Sequence, residues 1–142
     1  NCSTGHIKMG DPALPTAMKS VKDDVGIQDV EEADFEYLFQ ALVEMDTGGG
    51  CFLKQVVDVY LFRVPNEGSC PDVPDIGSLS LAKGEVDNVM YIEIDRLEEI
   101  WHASPPNPEF VVPPGEDYRS RLFFNARQRH KKYCQQLAEA EF

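Results

Sequence analysis

DVEEADFEYLFQALVEMDTGGGCFLKQVVDVYLFRV, residues 29–64, decides the fold, because two long apolar stretches meet here at Thr47-Gly48-Gly49-Gly50. In the first half, Asp29-Val30-Glu31-Glu32 has the Asp-x-x-Glu form of a helix capping box, and Val30, Ala33, Tyr37, Leu38, Ala41, Leu42 and Met45 recur at helical spacing. The opening acids suit the positive end of a helix dipole, so the spacing predicts a helix that ends at Gly48. In the second half, Phe52, Leu53, Val56, Val57, Tyr60, Leu61 and Val64 keep one helical face apolar, and Lys54 and Asp58 stand four apart. The Val, Tyr and Phe content pulls toward strand. Length decides for helix, since the run from Cys51 to Val64 exceeds the usual strand of about 5–6 residues.

Working outward, the ten prolines fall in three zones, Pro12 to Pro15, Pro65 to Pro74 and Pro105 to Pro114, and regular structure is expected between them. In residues 85–103, Val86, Met90, Ile94, Leu97 and Trp101 step at helical intervals, although Val89 to Ile94 also reads as a strand, in which case Asp95-x-x-Glu98 would cap a short helix. Residues 117–140 are rich in helix formers and read as a long terminal helix. The leading expectation is therefore a mostly α protein, a small four-helix bundle with Pro-rich connectors. The alternative is α+β, a short antiparallel sheet from residues 52–64, 78–83 and 88–94 with helices at both ends. It is favoured by the stretch from Pro65 to Gly84, which is long for a loop without structure. Residues 1–28 are expected to form a loosely ordered N-terminal arm, and residues 29–142 a single globular domain with a basic C-terminal helix over 117–140.

The chain carries net charge −12, yet Arg119, Arg121, Arg127, Arg129, Lys131 and Lys132 follow one another without an intervening Asp or Glu. Segregation of this kind steers partners. It points to a partner-binding helix for an acidic protein surface, with salt-sensitive self-association on the acidic body of a second copy as a further possibility. Nucleic acid is disfavoured, because the acidic remainder repels phosphate. No apolar run approaches the ~18 residues of a membrane span.

The four cysteines, Cys2, Cys51, Cys70 and Cys134, are scattered, with no Cys-x-x-Cys pair, and His6, His102 and His130 lie far apart in the sequence. Neither a metal site nor a cofactor is expected. The compartment stays open.

One stretch has the form of a catalytic turn. Gly48-Gly49-Gly50-Cys51-Phe52 resembles the nucleophile turn of papain-like and ubiquitin-specific cysteine hydrolases, where the cysteine opens a central helix. The resemblance implies Cys51 as nucleophile, His102 or His130 as base, and Asp87 or Asp95 to orient the base. The oxyanion-hole Gln or Asn of those families is missing upstream. Two functional readings follow. The first is a non-catalytic acidic adaptor or complex subunit that docks an acidic partner through its basic helix. The second is a cysteine hydrolase or thiol-dependent enzyme using Cys51.

Overall fold

A computed structural model describes residues 5–63, 79–84, 86, 89–110 and 112–140. The elements in order are α1 (Ala13–Ser20), a π-helical turn (Val21–Val25), a 3-10 turn (Glu32–Asp34), β1 (Phe35–Gly48), β2 (Cys51–Phe62), α2 (Ile94–His102) and α3 (Glu116–Ala140). The two strands pair as a two-stranded antiparallel sheet.

This overturns the four-helix bundle. Both stretches expected as helices on either side of the glycines are strands, and the helix expected over 85–103 is confined to Ile94–His102. The α+β class fits. Its predicted strands do so only partly, because β2 falls within residues 52–64 apart from its first residue, whereas described residues 79–84 and 89–93 form no sheet.

The hairpin follows from local chemistry. Gly49 and Gly50 have φ of +64° and +80°, and a two-residue turn of type I′ needs positive φ at both central positions. Along β1, Phe39 and Ala41 are buried while Gln40, Leu42 and Glu44 are exposed, the period of two that a pleated strand imposes. Cross-strand pairs set the register. Phe35 packs on Phe62 with ring centroids 4.8 Å apart, Tyr37 meets Tyr60 edge-on at 5.4 Å, Gln40 Nε2 donates to Asp58 Oδ1 at 3.0 Å, and Lys54 pairs with Glu44 at 2.5 Å. Each such pair adds a few tenths to about 1 kcal/mol.

The backbone separates into two compact units, one of residues 1–37 and 60–91, the other of 38–59 and 92–142. In the second, Phe39, Ala41 and Val59 form a buried cluster with Leu38, Val57, Tyr118 and Leu122 packed against it. Phe123 is its deepest residue, 1% exposed, with Trp101 edge-on at 5.3 Å. Full burial of such a side chain contributes about 1.5–3 kcal/mol. Arg127 joins α3 to α2: its Nη2 donates to Asp95 Oδ1 at 2.6 Å and also pairs with Glu98.

The first unit holds α1, which lies inside the segment expected as an N-terminal arm. Its Ala13, Leu14, Ala17 and Met18 are half-buried, and Ser20, Val21 and Val30 are buried. At the 3-10 turn a capping box forms with Glu31 and Asp34, whose Oδ2 accepts from the Glu31 amide at 2.8 Å. The acids of this stretch therefore cap a turn leading into a strand, not a long helix.

Candidate active site

The first unit contains a π-helical turn. At Ser20 the α-helix widens into the π turn Val21–Val25, which carries Asp23 and Asp24. π turns are rare and occur frequently at functional sites. The turn is closed by Gly26, whose φ of +82° is left-handed and whose amide donates to the Lys22 carbonyl at 3.1 Å. Gln28 Nε2 adds donations to the carbonyls of Lys22 and Gly26, each at 3.4 Å.

Two glycines let other backbone segments approach this turn closely. A Cβ at Gly26 would stand 2.5 Å from the Ser80 carbonyl oxygen, and one at Gly5 would stand 2.4 Å from Ser20 Oγ and 3.0 Å from Thr16 Cγ2. The Ala82 amide then reaches the Asp24 carbonyl at 3.0 Å, fixing the turn against residues 80–82. The segment is thus held by its backbone.

Lys19 pairs with Asp23 one helical turn on, and this hydrogen bond, with the nearby charges of Asp23 and Asp24, raises the lysine's pKa above its ordinary value. The ammonium thus stands paired with Asp23 and in the field of Asp24. Among the described residues no three His, Cys, Asp or Glu side chains converge to hold a metal ion. What the turn offers is a carboxylate able to take a proton from water and a cation able to offset developing negative charge.

The residues expected from the sequence lie elsewhere. Cys51 is exposed and opens strand β2 at the hairpin turn, so the helix N-terminus that would favour its thiolate is not there. His102 ends α2, its ring tilted toward Phe123 at 6.3 Å, and His130 sits on α3 with Nε2 3.6 Å from Cys134 Sγ. Asp95 is engaged by Arg127, and Asp87 lies outside the described residues, as do Cys2 and Cys70.

Arg119, Arg121 and Arg127 on α3 are engaged within the second unit. Arg119 Nη1 donates to the Pro113 carbonyl at 2.8 Å. Arg121 lies over the Phe39 ring at 4.4 Å and pairs with Asp117 at 3.6 Å, and Arg127 grips Asp95 and Glu98. Arg129 is half-buried, while Lys131 and Lys132 are exposed.

Sequence reasoning missed the turn at residues 19–27. The Lys19/Asp23 pair at i, i+4 followed by Gly26 signals a helix end but not a widened turn.

No family model matches the chain, and no solved structure matches it. The chain is 30% identical over 139 residues to Nudix hydrolase 3 of Arabidopsis thaliana, an alignment that covers 97% of this chain and 16% of that protein. The chain thus spans about one sixth of the length of the curated relative it matches. This similarity, to a protein named as a hydrolase, stands against the non-catalytic adaptor or complex subunit expected from charge segregation. The alternative, a cysteine hydrolase built on Cys51, has no support either: the turn it needs is a hairpin and not a helix start.

Proposed function

We propose that this chain is a hydrolytic segment of the same kind as the matching part of Nudix hydrolase 3, working through the carboxylates of its π turn. The observation that carries the reading is the 30% identity sustained over 97% of the chain. In this reading Asp24 is the general base that takes a proton from the attacking water. Asp23, held by Lys19, positions the lysine so that its ammonium offsets the negative charge that grows on the leaving group. Gly5 and Gly26 serve the site by allowing the close approaches that fix the turn.

The test is hydrolysis by the full chain across a panel of phosphoanhydrides, phosphate esters, carboxylic esters and amides. Replacing Asp24→Asn should lower turnover by about 10²–10⁴-fold, the usual worth of a general base, with the fold intact by circular dichroism. Cys51→Ser should leave turnover unchanged. Hydrolysis that is insensitive to Asp23→Asn and Asp24→Asn would overturn the assignment of these residues, and no hydrolysis of any panel member would overturn the hydrolase reading for this chain.

Partner docking on the basic helix is retained as a narrower proposal within the hydrolase reading. With Arg119, Arg121 and Arg127 engaged internally, the exposed Lys131 and Lys132 would carry an acidic protein surface. No described helix is long and apolar enough to cross a membrane. Reversing Lys131 and Lys132 to Glu should abolish salt-sensitive capture of an acidic partner or a second copy; capture that survives removes the proposal.

A further inference from the structure

On the solvent side of α3 a thiol and an imidazole face each other. His130 and Cys134 stand one helical turn apart, both exposed, with Cys134 Sγ 3.6 Å from His130 Nε2. That separation has a chemical meaning beyond a polar contact. A tetrahedral zinc ion takes thiolate sulfur at ~2.3 Å and imidazole nitrogen at ~2.0–2.1 Å, so the two donor atoms of one tetrahedral edge stand about 3.6 Å apart. The side chains are already set at the bite of such an ion. Regular i, i+4 spacing on a helix holds them there, the arrangement by which helical ligand pairs grip zinc.

We propose that His130 and Cys134 form an open two-point clamp for a zinc-class divalent ion, with water in the remaining coordination positions. On binding, the Cys134 thiol gives its proton to solvent as the metal–sulfur bond forms, and neutral His130 donates its Nε2 lone pair. Lys131 and Lys132 adjoin the pair and oppose the cation, while the overall charge of −12 favours it. Two protein ligands and adjacent lysines make this a weaker site than a closed four-ligand centre, one that exchanges its ion readily. The site is independent of the hydrolytic reading: it shares no residue with the π turn and needs no turnover to be seen.

The experiment is titration of the reduced full chain with cobalt(II), a spectroscopic stand-in for zinc, followed by displacement with zinc. A thiolate-to-cobalt charge-transfer band in the near ultraviolet is expected, saturating at one ion per chain and bleached by zinc. Cys134→Ser should abolish the band. His130→Ala should weaken binding at least about tenfold, since even outer-sphere partners of metal ligands cost 10–100-fold. Cys51→Ser should change nothing. Both clamp positions are exposed, so the variants retain the helix, which circular dichroism verifies. Absence of a band overturns the proposal, as does a band that survives Cys134→Ser. Equal affinity in His130→Ala would reduce the site to a lone thiol, and one ion per two chains would replace the open clamp by a shared centre.

Discussion

Single atoms decide the backbone around the π turn. Gly26 combines a left-handed φ with a Cβ direction that ends 2.5 Å from the Ser80 carbonyl oxygen and 2.8 Å from the Ser80 nitrogen. Neither backbone atom can swing away as a side chain would. Gly26→Ala should therefore cost more than the ~1–2 kcal/mol of the left-handed conformation alone, read as a lowered denaturation midpoint. Gly49 has positive φ but open space around it, so the same chemistry gives the opposite sign. Gly49→Asn keeps a residue that tolerates the left-handed region and trims the freedom of the unfolded chain. It should be neutral or stabilising by up to about 1 kcal/mol in the same measurement. At the other extreme of burial, Phe123→Ala should cost about 3–5 kcal/mol, because a ring that is 1% exposed leaves a cavity its neighbours only partly fill.

At the level of elements, the hairpin shows where sequence pattern misleads. Apolar residues at 35, 37, 38, 39, 41, 42, 43 and 45 occupy both faces of β1, and a strand that is apolar on both faces satisfies helical spacing by coincidence. Over residues 51–64 length decides for helix, and that argument fails because β2 runs to 12 residues, well beyond the usual strand. What was legible, and was passed over, is the turn: two glycines between runs rich in Phe, Tyr, Val and Leu are a hairpin signal with a mechanism. The short helix capped near Asp95 was legible in the alternative reading of residues 85–103, although Glu93 takes the cap position there without a side-chain hydrogen bond. The π turn was not legible, because nothing in the spacing of Lys19 to Gly26 separates a widened turn from an ordinary helix end. The α2–α3 clasp is a pairing over some thirty residues, beyond any local pattern, and it has a pH signature. Hydrogen bonding from Arg127 lowers the Glu98 pKa below its ordinary 4.5. A depressed carboxylate contributes stability that is present above the unfolded pKa and lost as pH falls through the folded value. Stability measured from pH 7 downward should hold until about pH 4.5 and then decline. Glu98→Gln should remove part of that acid limb.

For the molecule as a whole, a charge of −12 on 142 residues means self-repulsion. Added salt screens it, so the thermal midpoint should rise between about 0.01 and 0.15 M ionic strength, over which the screening length falls from ~30 to ~8 Å. A falling midpoint would instead mean that local pairs such as Arg127 with Asp95 and Glu98 outweigh the net field. The chain's one tryptophan, Trp101, stacks edge-on against Phe123 in the second compact unit, whereas the π turn and the aromatic pairs Phe35–Phe62 and Tyr37–Tyr60 belong to the first. Indole emission is therefore a private channel to one half of the protein. When that half loosens, the glow shifts red.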